Sequence, residues 1–179
     1  MFHMVPNSGK PLEKISQNIE ECRKCPLWNG AIHAVPGEGP SNARAILIGQ
    51  NPGSEEDKTG KPFVGRSGRY LNNVLLKYGI ERRDLFITGV VKHVTPKNRK
   101  PKSDEIKACL PYLIDQIGII KPKIIVLMGG VAHSVPRTEG IIYVETCHPA
   151  AAMRFPKMMQ QFEGDMAKFK ELFYNCPHQ

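Results

Sequence analysis

The 179-residue sequence has no apolar run long enough to cross a bilayer, which excludes a helical membrane protein. Its opening residues, MFHMVPNSGK, carry a proline and polar groups where a secretory leader needs an unbroken apolar core, so a cytoplasmic location is expected. Repeats and low-complexity tracts are absent, and the length suits a single domain, 1–179, with one core. There is no even set of cysteines: five in a cytoplasmic chain argue against a disulfide framework and for metal ligation or inert buried thiols. Acidic residues are few, 17 against 25 Lys and Arg, and the net charge of +8 suits a polyanionic partner without specifying one.

What is present is an alternation of short apolar runs with helix-like segments. A helix is expected over 12–24, a loop over 36–42, and a strand over 43–50 (ARAILIGQ) that opens into the turn-rich NPGSEEDKTGKP. Apolar spacing predicts a helix from Ser67 to about Tyr78, ended by Gly79, and a strand follows at 85–91. Ser103 is expected to cap a helix that ends near Gly118 and Pro122; strands at 123–130 and 141–148 and a helix over about 157–174 complete the pattern. Four Ile-, Val- and Leu-rich strands separated mostly by helices imply an α/β fold, a three-layer α/β/α sandwich around a central four-stranded, mainly parallel sheet. Ligands of such sheets sit at the carboxyl ends of the strands. The least ordinary residues fall there: Gln50 to Gly53, Lys92 with His93, Gly129 with Gly130, and Cys147 to Pro149.

Several motifs in order carry a resemblance. Cys22 and Cys25, the loop GQNPG at 49–53, TGKPFVGRSG at 59–68, FITGVVKH at 86–93, EIKACLPYL, and HPAAAMR at 148–154 together resemble the uracil-DNA glycosylase superfamily, and its iron-sulfur family 4 most closely. The resemblance covers most of the chain. It implies a monofunctional DNA glycosylase of base excision repair that everts a deaminated base, uracil first, and hydrolyses its N-glycosidic bond. Such a reaction leaves positive charge on the sugar and negative charge on the base. The family's His-Pro motif implies that His148 donates a hydrogen bond to the base; alone, it reads equally as a backbone-satisfied strand-end histidine. Phe63 offers an aromatic face for stacking, or a core contact, while Gly49 and Gly53 permit close backbone approach.

Two departures bear on the chemistry. Family 4 usually has an acidic residue where Gln50 stands, and Asn51 matches instead the mismatch-specific and single-strand-selective branches, so Asn51 is expected to position the attacking water with Gln50 beside it. The family's base-reading asparagine is replaced by Gly89, which predicts activity on uracil extending to hypoxanthine or xanthine. The segment GGVAHSVPRTEG is shorter than the family's helix and hairpin, and His133 within it has no assigned role.

Cys22, Cys25 and Cys109 are expected to hold a [4Fe-4S] cluster, with His93 at the position of the family's remaining cysteine; zinc on the same ligands and Cys176 in place of His93 are alternatives, and Cys147 is a spare thiol. Met153 and Arg154 match side chains the family pushes into the vacated stack, and Arg66 joins Lys58, Lys61, Arg69, Lys97, Arg99, Lys100 and Lys102 as candidate phosphate contacts. The expected partner is DNA bearing a deaminated base, bound by a monomer; a sliding clamp is not readable from the sequence. The competing readings are a hypoxanthine- or mismatch-directed glycosylase and a non-catalytic cluster protein that binds damaged DNA.

Overall fold

The computed structural model describes residues 9–176; residues 1–8, on which the expectation about a leader rests, lie outside the described residues. Its elements in chain order are α1 (Gly9–Glu20), β1 (Ala45–Gly49), α2 (Ser54–Thr59), α3 (Arg66–Lys77), β2 (Leu85–Gly89), α4 (Ser103–Ile120), β3 (Ile124–Met128), α5 (Gly130–His133), β4 (Ile142–Thr146), α6 (Pro149–Arg154) and α7 (Pro156–Asn175). No described helix is long and apolar enough to cross a membrane.

The four strands form one sheet in the order β2-β1-β3-β4, and every pairing is parallel. β1 and β3 are buried at every residue, as continuous apolar runs require when both faces are covered. One face packs Ile46, Ile48, Ile125 and Leu127 against Leu113 and Ile117 of α4. The other packs Leu47, Val126 and Met128 against Leu71 and Leu75 of α3 and Phe162, Met166 and Phe169 of α7. The expected α/β sandwich is present. β4, on the sheet edge, alternates between buried and exposed residues.

The opposite edge is guarded by the segment read as a loop over 36–42. Glu38 exchanges both backbone bonds with Ile87, at 2.9 and 2.8 Å. Gly39, at φ 139, lies so close that a Cβ would stand 2.1 Å from Leu85 O, so only glycine can follow the strand there.

Three helices escape the periodic reading for a physical reason, α5 because it is only four residues long. α2 has the sequence SEEDKT, and what it buries is Glu56 and Asp57 rather than an apolar stripe. α6 is six residues, too short for a period to register. Ser103 is also misjudged as a cap. The cap is Lys102, whose backbone N–H donates to Glu105 Oε2 at 2.7 Å, and Ser103 is the first helical residue.

Glu105 is 3% exposed and takes two bonds from Arg99, at 2.9 and 2.6 Å. The Arg99 bond and the Lys102 N–H hold its carboxyl down at about 2. Its stabilising effect is therefore complete above the ordinary carboxylate value and fades as pH falls toward 2. Glu105→Gln is expected to lower stability at pH 7 by about 1–3 kcal/mol and to flatten the acid limb between pH 4.5 and 2; denaturant unfolding across pH checks it.

Candidate active site

The sheet brings β1, β2 and β4 out at one rim, and their carboxyl-end loops enclose a cavity of about 240 Å3. Its walls include Gln50, Asn51 and Gly53 after β1, Phe63 and Ser67 around the start of α3, Gly89 and Asn98 at and after β2, and His148 and Ala150 after β4. Asn51, Phe63, Gly53, Gly89, Gln50 and His148, chosen from sequence, thus face one space. Gly49 reaches it only indirectly: the Phe63 ring lies over it, and a Cβ at Gly49 would stand 2.5 Å from Phe63 Cζ.

Glu56 binds these loops together. Its Oε1 accepts from the N–H groups of Val64 at 2.8 Å and Gly65 at 2.7 Å, while Oε2 accepts from Gly53 at 3.1 Å. Three backbone donors from two loops converge on one buried carboxylate that also lines the cavity. Sequence reading missed it, because an acidic residue in SEEDKT looks solvated. Its signal is the spacing: an N3 glutamate reaching back to the residue before its own helix.

Phe63 adopts φ 50, strained for a residue with a side chain. Arg82 holds that conformation, donating to the carbonyls of Phe63 at 3.0 Å and Pro62 at 2.5 Å and to Asn72 Oδ1 at 3.0 Å. Gly68 lets the chain close, since a Cβ there would fall 1.9 Å from Phe63 O. The fixed ring stacks beside His148, with centroids 5.8 Å apart and planes 27° from parallel.

His148 caps α6: its Nδ1 accepts from the Ala150 N–H at 3.1 Å. That bond assigns the proton of the neutral ring to Nε2, which is left as a donor. Burial holds the imidazole below its ordinary value against the opposing pull of Glu56. The strand-end alternative holds for the His148 Nδ1, which backbone satisfies; His133, at the end of α5, is held through its own ring. Its Nε2 lies 3.2 Å from Leu127 O and 2.9 Å from Thr146 O, tying β3 to β4.

Asn51 sends its amide nitrogen to Pro52 O at 3.0 Å, Thr95 Oγ1 at 3.4 Å and Asn98 Oδ1 at 3.2 Å. Beneath the cavity, Lys92 is fully buried and donates to Thr88 Oγ1, Gly89 O and Gln116 Oε1 at 2.7, 2.9 and 2.8 Å. Desolvation lowers it to about 7, against an opposing pull from Cys109. Gly89 has no side chain to offer a ligand, and a Cβ would stand 3.0 Å from Val91 O.

Behind this floor lie the cysteines. Cys22 and Cys109 are buried and Cys25 half-buried. Burial pushes the Cys25 and Cys109 thiols up, with Cys22 adding to both. Tyr112, pushed up to about 12 first by burial and then by a bond to Cys22, closes one side. His93 is 4% exposed, and its Nδ1 is buried without a partner. Among the described residues, no three His, Cys, Asp or Glu side chains converge tightly enough for a single metal ion. Cys176 is removed as an alternative ligand. It ends α7, where its carbonyl accepts from Arg44 at 2.6 Å near the amino end of β1, on the face of the sheet opposite α4. Cys147 donates to Met158 O.

A wide groove continues from the cavity mouth, bordered by Arg66, Arg69, Asn98, Met153 and Arg154. Arg99 is not a free cation of this face, being committed to Glu105, and Lys58 pairs with Glu55 at 2.8 Å. Besides Glu56, the sequence reading overlooked Arg82, Thr95 and Asn98, polar residues in segments without period.

The family model for the uracil DNA glycosylase superfamily matches residues 36–173. The chain is 41% identical to a type-4 uracil-DNA glycosylase of Pyrobaculum aerophilum, over 88% of this chain and 92% of that protein. It is 41% identical to one from Sulfurisphaera tokodaii, over 90% of this chain and 84% of that protein. With the Archaeoglobus fulgidus type-4 enzyme it shares 33%, over 90% of this chain and 92% of that protein.

Protonating Nδ1 would set it against the Ala150 N–H and undo the cap of α6. The acid limb of any reaction that needs the neutral His148 ring is therefore expected below the ordinary histidine value of 6.5. Single-turnover rates measured from pH 4.5 to 8 check this, and a limb centred above 6.5 contradicts it.

Proposed function

Since the chain belongs to the uracil-DNA glycosylase superfamily, in its type-4 group, we propose that it removes uracil from DNA by hydrolysing the N-glycosidic bond. The observation that carries this reading is the convergence of Asn51, Phe63 and His148 from three separate loops on one cavity. An everted base stacks on Phe63 and takes a hydrogen bond from His148 Nε2–H on the oxygen where negative charge collects. Asn51, with Gln50 beside it, places a water. The water oxygen bonds to C1′, the C1′–N bond breaks with its electron pair leaving on the base, and the water proton finally neutralises that base. With no acid at Gln50, rate comes from leaving-group stabilisation and water placement rather than from a strong general base. Arg66, Met153 and Arg154 border the groove and receive the DNA strand, the latter two beside the vacated stack.

Uracil-bearing oligonucleotide, incubated with the protein and then treated with alkali, is expected to break at the uracil. Asn51→Ala should slow the release by about a hundredfold. Binding without breaks would instead support a damage-binding protein, and near wild-type release by the variant would remove Asn51 from the chemistry. Gly89 supports a second substrate range: without a side chain to read the base edge, hypoxanthine and xanthine are expected to be released as well.

The cysteine region fits a [4Fe-4S] cluster held by Cys22, Cys25, Cys109 and His93. The supporting observation is the orphaned, buried His93 Nδ1 at the place of the family's remaining cysteine. A cubane takes one ligand at each corner and suits a wider set than a single zinc ion does. Such a cluster would supply a structural brace between the Cys22–Cys25 turn and α4. Purified protein should hold about four irons per chain, retained on His93→Cys and reduced on His93→Ala. Zinc alone would refute the assignment.

A further inference from the structure

Asn51 ends in an amide whose two faces differ only in which atom points into the cavity, and its neighbours decide the matter. Pro52 O, a carbonyl, can only accept. Thr95 commits its hydroxyl proton to Arg99 O at 2.6 Å, so toward Asn51 it offers a lone pair. Reversing the amide would turn Asn51 Oδ1 onto both of these acceptors. With the nitrogen so fixed, Asn98 must present its own Oδ1 to it.

The loop that delivers Thr95 and Asn98 is held against a cost. Lys97 and Asn98 both have φ 53, left-handed geometry in two consecutive residues that are not glycine. Strain of this kind persists only where surroundings over-determine it. Here the Asn98 N–H donates to Thr95 O at 2.9 Å, and Arg99 locks the loop's far end to the buried Glu105 at the start of α4. A continuous set of bonds therefore runs from α4 through Arg99 and Thr95 to Asn51.

We propose that Thr95 and Asn98 are positioning residues for the hydrolysis: they turn the Asn51 amide nitrogen away and leave its Oδ1 facing the cavity to accept a hydrogen bond from the attacking water. This rests on the glycosylase reading of the site. A water that donates to an acceptor keeps both lone pairs free and gains electron density on its oxygen, whereas one held by an N–H donor spends one of the two and loses density. Asn98 thus acts through its Oδ1 as an acceptor for Asn51.

The test is single-turnover uracil release at saturating enzyme, with oligonucleotide affinity and thermal unfolding measured beside it. Thr95→Val and Asn98→Ala are expected to slow release about tenfold, the rate equivalent of one lost hydrogen bond, with affinity unchanged in Thr95→Val. Thr95→Ser and Asn98→Asp keep an acceptor and should restore the rate. Adding Asn98→Ala to Asn51→Ala should cost nothing further. If N98D is as slow as N98A, or if T95V and N98A both release uracil at the wild-type rate, the positioning role is overturned. A wild-type protein that releases no uracil sinks the glycosylase reading itself, whereas wild-type speed in N51A overturns the positioning proposal and leaves that reading standing.

Discussion

One buried carboxylate holds the rim of this sheet in shape. Glu56 takes the backbone N–H groups of Gly53, Val64 and Gly65, and so fixes the loop that carries Asn51 to the loop that carries Phe63. An ionised carboxylate taken out of water is costly unless its oxygens are bonded, and backbone donors on three sides meet that cost. The same bonds satisfy N–H groups at the starts of α2 and α3 that have no intrahelical partner. Without Glu56, two glycine-bearing loops would lose their common fixed point.

Around that point the chain tolerates strain at Phe63. A left-handed phenylalanine is costly, and it persists because Arg82 grips the carbonyls on either side of it and Gly68 lets the backbone close onto α3. Gly49 supplies the remaining space by leaving the ring nothing to collide with. The motif glycines therefore serve the aromatic ring as much as any ligand. As the stacking surface of the proposed reading, a ring held rigidly before a base arrives would spare the ordering cost at binding.

Much of the fold was legible because apolar runs and helical periods are governed by burial. Four strands and the helices corresponding to α1, α3, α4 and α7 follow from side-chain spacing, and the parallel sheet follows from runs buried on both faces. What stayed illegible is polar. α2 buries carboxylates, so its hydrophilic sequence reads as loop; Lys92 is buried, satisfied by Thr88, Gly89 O and Gln116. Asn51, Phe63 and His148 could be chosen from motifs. Arg82, Thr95 and Asn98 could not, since their meaning lies in partners 20, 44 and 47 residues away.

On the proposed glycosylase reading, the charge arrangement is what would let the site work without an acid at Gln50. Glu56, bonded through three N–H groups, borders the cavity in which the proposed reaction would form a sugar cation. His148 is kept neutral by burial and keeps its donor hydrogen on Nε2 because Ala150 occupies Nδ1. A neutral donor can meet the growing charge on a departing base without adding a cation next to the sugar. Fixed dipoles and one fixed anion need little reorganisation as charge separates, which is where enzymes gain most. On that reading the amide at Asn51 has a geometric task rather than an acid–base one, and geometry is what its bonded surroundings supply.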